Sequence, residues 1–147
     1  MRKPLIAIAA ASALAAAAGA ALAKTEPATW VKRILSEMDS IQKKNGYAPE
    51  GEARPGTLAT GGEARLDFAL AAGPAYRFVI VCESACGAGE VELLDPAGAR
   101  VGDPGVLVNM PKLEVAPTAA GTYILRVAMT DCAAASCAFS ARLYARR

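Results

Sequence analysis

The residues with the most definite chemistry in this sequence are four cysteines, and they come as two close pairs. The first is Cys82-Glu83-Ser84-Ala85-Cys86 and the second Cys132-Ala133-Ala134-Ala135-Ser136-Cys137. Such pairs serve either disulfides, which need an oxidising compartment, or a four-thiolate zinc site, which needs reduced thiols. Four cysteines allow three disulfide connectivities. The spacing favours the local bonds Cys82–Cys86 and Cys132–Cys137, since each pair flanks a short loop and residues facing each other at a hairpin mouth lie within disulfide reach. A crossed arrangement requires the two loops to lie side by side at one end of the domain. The remaining chemistry is sparse. There is no histidine, which removes the commonest general base, the Ser-His-Asp and Cys-His arrangements and imidazole metal sites. Glu90 and Glu92 fall on one face of a strand and could form an acid–base pair, but an exposed polar face accounts for them more simply. Gly87-Ala88-Gly89 precedes no helix and reads as a turn rather than a phosphate loop. No catalytic residue, metal ligand or cofactor is expected.

The start of the chain says which compartment those thiols meet. Arg2 and Lys3 are followed by an uncharged run rich in Ala, Leu and Ile from Leu5 to Ala18, then by Gly19 and Ala21-Leu22-Ala23. That order is the pattern of a secretory signal peptide over 1–23, with Lys24 as the expected mature N-terminus. The apolar run is short and Ala-rich beside the ~20 strongly apolar residues of a membrane span, so no stable membrane anchor is expected after cleavage. Localisation is expected to be periplasmic or secreted, which favours disulfides over zinc. Loss of Arg2 and Lys3 from the 16 basic residues leaves 14 against 14 acidic ones. A neutral chain is a poor partner for nucleic acid, whose phosphates need a basic excess on one face.

The elements that must position these residues follow from periodicity. The segment 24–46 reads as an amphipathic helix, with Pro27 suited to its first turn and Gly46 to the residue past its end. At 100° per residue Trp30, Val31, Ile34, Leu35, Met38 and Ile41 fall within an arc of about 140°. This arc should pack on the domain that follows, burying most of Trp30. Failing that, Trp30, Ile34, Met38 and Ile41 are the candidate interface for a partner. The segment 47–63, with Pro49, Gly51, Pro55, Gly56, Gly61 and Gly62, reads as a linker containing at most a short strand near Thr57 to Ala59. From 64 to 147 the period becomes 2. Leu66 to Leu70, Tyr76 to Cys82, Glu90 to Leu94, Val106 to Val108, Leu113 to Val115, Gly121 to Met129 and Cys137 to Tyr144 are the strand candidates, with Asp95-Pro96-Ala97-Gly98 as a turn. Tyr76 to Cys82 is β-branched and aromatic throughout, as befits a central strand covered on both faces.

The strand Gly121-Thr122-Tyr123-Ile124-Leu125-Arg126-Val127, preceded by Pro117, resembles the closing signature of bacterial pre-peptidase C-terminal domains, which are secreted jelly-roll sandwiches. The resemblance extends to Tyr76-Arg77-Phe78-Val79-Ile80-Val81 and to Val91-Glu92-Leu93-Leu94-Asp95-Pro96-Ala97-Gly98, and so spans residues 64–145. Gly121 and Tyr123 would form a structural corner, Gly121 permitting a tight turn while the Tyr123 hydroxyl bonds backbone across the bend. The chain is more similar still to a branch of exported proteobacterial proteins with a helix, this sandwich and two Cys pairs. In that branch Asp-Leu-Asp-Leu follows the first pair, where this chain has Ala88-Gly89-Glu90-Val91. The wider resemblance implies that acidic loop residues can take calcium, with Asp67, Glu83, Glu90, Asp95 and Asp103 as the oxygen donors at hand. The departure at Ala88 lowers that expectation.

The fold expected is mainly β, an antiparallel jelly-roll-like β-sandwich of about seven or eight strands preceded by one amphipathic helix. The function expected is that of an exported, non-catalytic binding or accessory module whose ligand is a protein or glycan. A structural subunit docking through the Trp30 helix is the alternative, and a calcium-binding or enzyme accessory domain the weaker one.

Overall fold

The computed structural model describes residues 27–147; the expected signal peptide and the mature N-terminus lie outside them. Helix α1 (Pro27–Lys44) is followed by nine strands: β1 (Ala48–Pro49), β2 (Arg54–Leu58), β3 (Glu63–Leu70), β4 (Ala75–Cys82), β5 (Cys86–Leu94), β6 (Arg100–Val106), β7 (Lys112–Val115), β8 (Gly121–Cys132) and β9 (Cys137–Arg146). The helix stops where the sequence says it should. Gly46 has φ +81°, its N–H donates to the Lys43 carbonyl, and the Tyr47 N–H donates to the Gln42 carbonyl. This pair of bonds closes a helix end through a left-handed residue that glycine adopts without strain.

All strand pairs are antiparallel. One sheet runs β2-β9-β4-β7, with β1 also on the β9 edge, and the other runs β3-β8-β5-β6. The pairs β2·β9, β3·β8, β4·β7 and β5·β6 are nested about the β5–β6 turn. One long hairpin rolled upon itself gives that order, which makes the sandwich a jelly roll. The hairpin tip is the expected turn: Asp95 Oδ1 accepts the N–H groups of Ala97 and Ala99, and Gly98 takes φ +85°. Between the sheets lies the core, with Phe68, Phe78, Leu93, Leu125 and Phe139 among its buried side chains. Outside the first sheet lies a third layer, where Val31 and Leu35 of α1 cover Val79, Val81 and Tyr144. Strand β4 is thus central and covered on both faces, as its composition predicts.

Four sequence expectations need correction. The segment 47–63 is not a plain linker, for it supplies β1, β2 and the first residue of β3. Strand β6 occupies Arg100–Val106, and Leu107–Asn109 is a short 3-10 helix rather than the strand expected from Val106 to Val108. Gly87-Ala88-Gly89 belongs to β5, which shifts register against β8 at this point, so the glycines mark bulges and not a turn. Gly121 does not sit in the left-handed region. What requires glycine there is room, because a Cβ would stand 2.6 Å from Pro96 Cγ. The corner itself is present: Tyr123 is buried and its hydroxyl donates to the Ala119 carbonyl at 3.5 Å.

The outer face of the second sheet carries an ion-pair ladder. Glu92 stands opposite Arg126 in the β5·β8 register, accepts from Arg126 Nε at 2.5 Å and from Arg100 Nε at 2.9 Å, and is buried. Arg126 also reaches Glu63 at 2.9 Å. The Arg126 hydrogen bond holds the Glu92 carboxyl below its ordinary value of 4.5, against the opposing effect of burial. A depressed carboxylate stabilises the fold above its unfolded value, and that contribution is lost as pH falls through the folded one. Chemical denaturation of the wild type below pH 4.5 should therefore show a steeper loss of stability than that of Glu92→Gln. Parallel curves for the two proteins would refute this role for the ladder.

Candidate functional site

The helix does not dock with the centre of its apolar arc. Val31, Leu35 and Gln42, which span about 40° at 100° per residue, are buried, whereas Trp30, Ile34 and Met38 are half-buried and Ile41 is 43% exposed. Trp30 is covered for the most part, as expected, but at the edge of the layer, where it packs against the cluster of Val31, Leu35 and Tyr144 without being fully enclosed. The cause lies on the opposite shoulder of the helix. Asp39 accepts from Arg142 Nε and Nη2 at 3.2 and 3.1 Å and from the Tyr144 hydroxyl at 2.7 Å. These bonds rotate α1 so that a polar shoulder faces β9, while Trp30, Ile34 and Met38 pack at the edge of the layer and Ile41 is left exposed. Burial, reinforced by the Asp39 carboxylate, pushes the Tyr144 phenol well above its ordinary value, so it remains a donor across the physiological range. Gln42 extends the polar contact toward β4 by accepting from Arg77 Nη1 at 2.6 Å. Its Nε2 is buried with no partner among the described residues.

Asp39→Ala should cost about 2 kcal/mol, because it strands a buried phenol and a largely covered guanidinium. The pair is partly solvated, with Asp39 31% and Arg142 18% exposed at the side chain, which keeps the cost below that of a fully buried ion pair. Urea denaturation measures it, and a loss under 0.5 kcal/mol would mean that the helix is not held by these bonds.

The same rotation leaves a groove of about 520 Å³ between α1 and the outer face of β2 and β9. One wall is the helix from Ala28 to Asp39, including Val31, Lys32, Leu35 and Ser36. The floor is made of Pro55 and Thr57 from β2 and of Ala138 and Ser140 from β9, with Glu52 and Ala53 opposite the helix. Small outward residues make it: β9 presents Ala138 and Ser140 where a larger pair would fill the space, and the Asp39–Arg142 pair lies toward one end. Ser140 is only 3% exposed, lines the groove and makes no side-chain hydrogen bond among the described residues. The hydroxyl is therefore open to the groove, whereas the buried side-chain atom without a partner among the described residues is Gln42 Nε2. A pocket of this size with a few polar groups set in an apolar lining is the usual form of a ligand site.

The cysteines meet at one end of the sandwich. Cys82 is bonded to Cys86 and Cys132 to Cys137, and Cys86 stands opposite Cys132 in the β5·β8 register. The two loops do lie side by side, as a crossed arrangement requires, yet the bonds are local. Two disulfides indicate folding in an oxidising environment. Beside them Glu83 is buried, and its Oε1 accepts the Ala138 N–H at 2.7 Å, extending the β4·β9 ladder past its last backbone pair.

The carboxylates considered for calcium are dispersed. Glu83 bonds backbone, Asp95 closes the hairpin turn, Glu90 faces Arg126 at 3.6 Å, and Asp67 and Asp103 are exposed on other strands. Among the described residues no three His, Cys, Asp or Glu side chains come together to hold a metal ion, and no helix is long and apolar enough to cross a membrane. Glu92, expected on an exposed polar face, is covered by two guanidinium groups. No family model matches the chain, and no curated protein matches it in sequence.

Sequence reasoning missed the groove because it lies on the polar side of the helix and on a strand read as linker. The available signal was the outward set Ala138, Ser140 and Arg142 in β9, which leaves space beside any helix packed on Tyr144.

Proposed function

We propose that the chain is an exported, non-catalytic binding module of the cell envelope or the medium, and that its ligand sits in the groove between α1 and the β2–β9 face. The observation that carries this reading is the groove itself, about 520 Å³ of space in which Ser36, Thr57 and Ser140 are set in a mainly apolar lining. The leader-like start, the two disulfides and the resemblance to pre-peptidase C-terminal domains support a role outside the cytoplasm. The absence of histidine from the sequence supports binding over catalysis.

Ligands that bind the folded state raise its melting temperature by mass action. Mature protein, residues 24–147, and its Ser140→Leu variant, in which the groove is filled, are compared against panels of peptides and oligosaccharides. A stabilising ligand that loses its effect in Ser140→Leu supports the reading. If every effect is equal in the two proteins, the groove is not the site.

The exposed Ile41, on the same helix face as the partly covered Trp30 and Ile34, favours a second reading, a subunit that assembles with another protein through the outer shoulder of α1. Ile41→Glu would then abolish the complex while leaving groove ligands bound.

A further inference from the structure

We infer that the groove takes a short extended peptide segment, an apolar residue flanked by an acidic side chain on the helix side and a basic one on the strand side. This rests on the groove being the binding site. Its length argues for a peptide: the helical wall from Ala28 to Asp39 runs about 16 Å at 1.5 Å per residue, which is room for about five residues of extended chain. The polar groups along it suit a main chain. The hydroxyls of Ser36, Thr57 and Ser140 line the groove with no side-chain hydrogen bonds among the described residues, and hydroxyls serve N–H and C=O groups equally.

A purely apolar chain would leave the Ser140 hydroxyl desolvated without a partner, which is unfavourable. A glycan is disfavoured by the lining. Its one aromatic residue is Phe139, and that ring lies so close under Gly56 that a Cβ there would stand 2.5 Å from Phe139 Cζ. No aromatic face is left on which a sugar could stack. The charges then set the sequence. Lys32 on the helix and Glu52 on the opposite wall both line the groove, and neither has an ion-pair partner among the described residues. Across the gap they offer one site for a carboxylate and one for a cation.

The test uses mature protein and fluorescein-labelled, C-terminally amidated pentapeptides with a central valine, carrying one Asp and one Lys in all arrangements about it. Anisotropy titration should find at least one arrangement that binds, and Lys32→Glu should weaken it at least tenfold. Replacing the peptide Asp by Lys should restore the affinity of Lys32→Glu, a compensation that general damage to the fold would not produce. Labelled dodecanoate is titrated in parallel. If dodecanoate binds the wild type but not Ser140→Leu while no peptide binds, the groove stands as a site and the peptide class is overturned. If neither probe binds, or if both bind the wild type and Ser140→Leu alike, the groove reading falls with it. If a peptide binds with no dependence on Lys32, the charge assignment is overturned.

Discussion

Phe78→Ala is expected to cost about 3–5 kcal/mol, the range for truncating an aromatic side chain in a packed core. Phe78 is fully buried and lies in β4 between Leu113 of β7 and Leu143 of β9. Across the core its ring meets that of Phe68 from β3 at 5.0 Å between centroids and 79° between planes. This edge-to-face arrangement adds to area burial, and it joins one sheet to the other. Few neighbours can collapse into the space left behind, because β4 is held on both sides by ladders and on its far face by the helix. Against a total of roughly 5–15 kcal/mol for a domain, the variant should be marginally folded. Urea titration should show a lower midpoint with an unchanged slope, and Phe78→Leu, which keeps most of the volume, should fall between the two proteins. A cost below 1 kcal/mol for the alanine variant would mean that the sheets do not pack through this contact.

The parts of this fold that were legible in the sequence are those whose environment is uniform. Strand β4 is apolar on both faces because both are covered, and no helix-like period competes with that reading. The end of α1 was legible because a single residue, Gly46, supplies the left-handed conformation that the stop requires. Strands β2 and β6 were obscured by Pro55 and Pro104. Both strands are edges, β2 beside β9 and β6 beside β5, and an edge is where proline can sit without removing a ladder bond. Local propensity does not say which strand is an edge; only the assembled sheet does. The helix shows the same limit in another form. Its apolar arc was plain, but the shoulder that faces the sheet is chosen by Asp39, whose partners Arg142 and Tyr144 lie 103 and 105 residues away. The groove depends on that choice, which is why the candidate site was invisible from the sequence while the layers around it were not.

Removing both disulfides should cost about 4 kcal/mol, roughly 2 from each in the chain-entropy model for loops this small. The bonded residues are separated by 4 and 5 positions, so each bond restricts the unfolded chain far less than a link between the two loops would. Even so, the sum is a large share of a typical domain's stability. Reductant at neutral pH should lower the melting temperature by roughly 10–20 °C for a domain of this size. The position of the bonds gives the loss a direction. Cys137 and Cys132 flank the β8–β9 loop, and β9 pairs with β1, β2 and β4. Loosening that loop frees the start of β9, where Ala138 and Ser140 form the groove floor. Cys132→Ser/Cys137→Ser should therefore weaken groove ligands as well as stability, whereas Cys82→Ser/Cys86→Ser should act on stability with less effect on binding. Because Cys86 faces Cys132 across β5·β8, the single variants Cys82→Ser and Cys137→Ser each leave one thiol beside an intact disulfide, and the double variant Cys82→Ser/Cys137→Ser should form the cross-strand bond Cys86–Cys132. Peptide mapping without reduction reads all three outcomes. Four free thiols in exported wild-type protein, or a cross-linked Cys86–Cys132 fragment from it, would overturn the local pairing on which the argument stands.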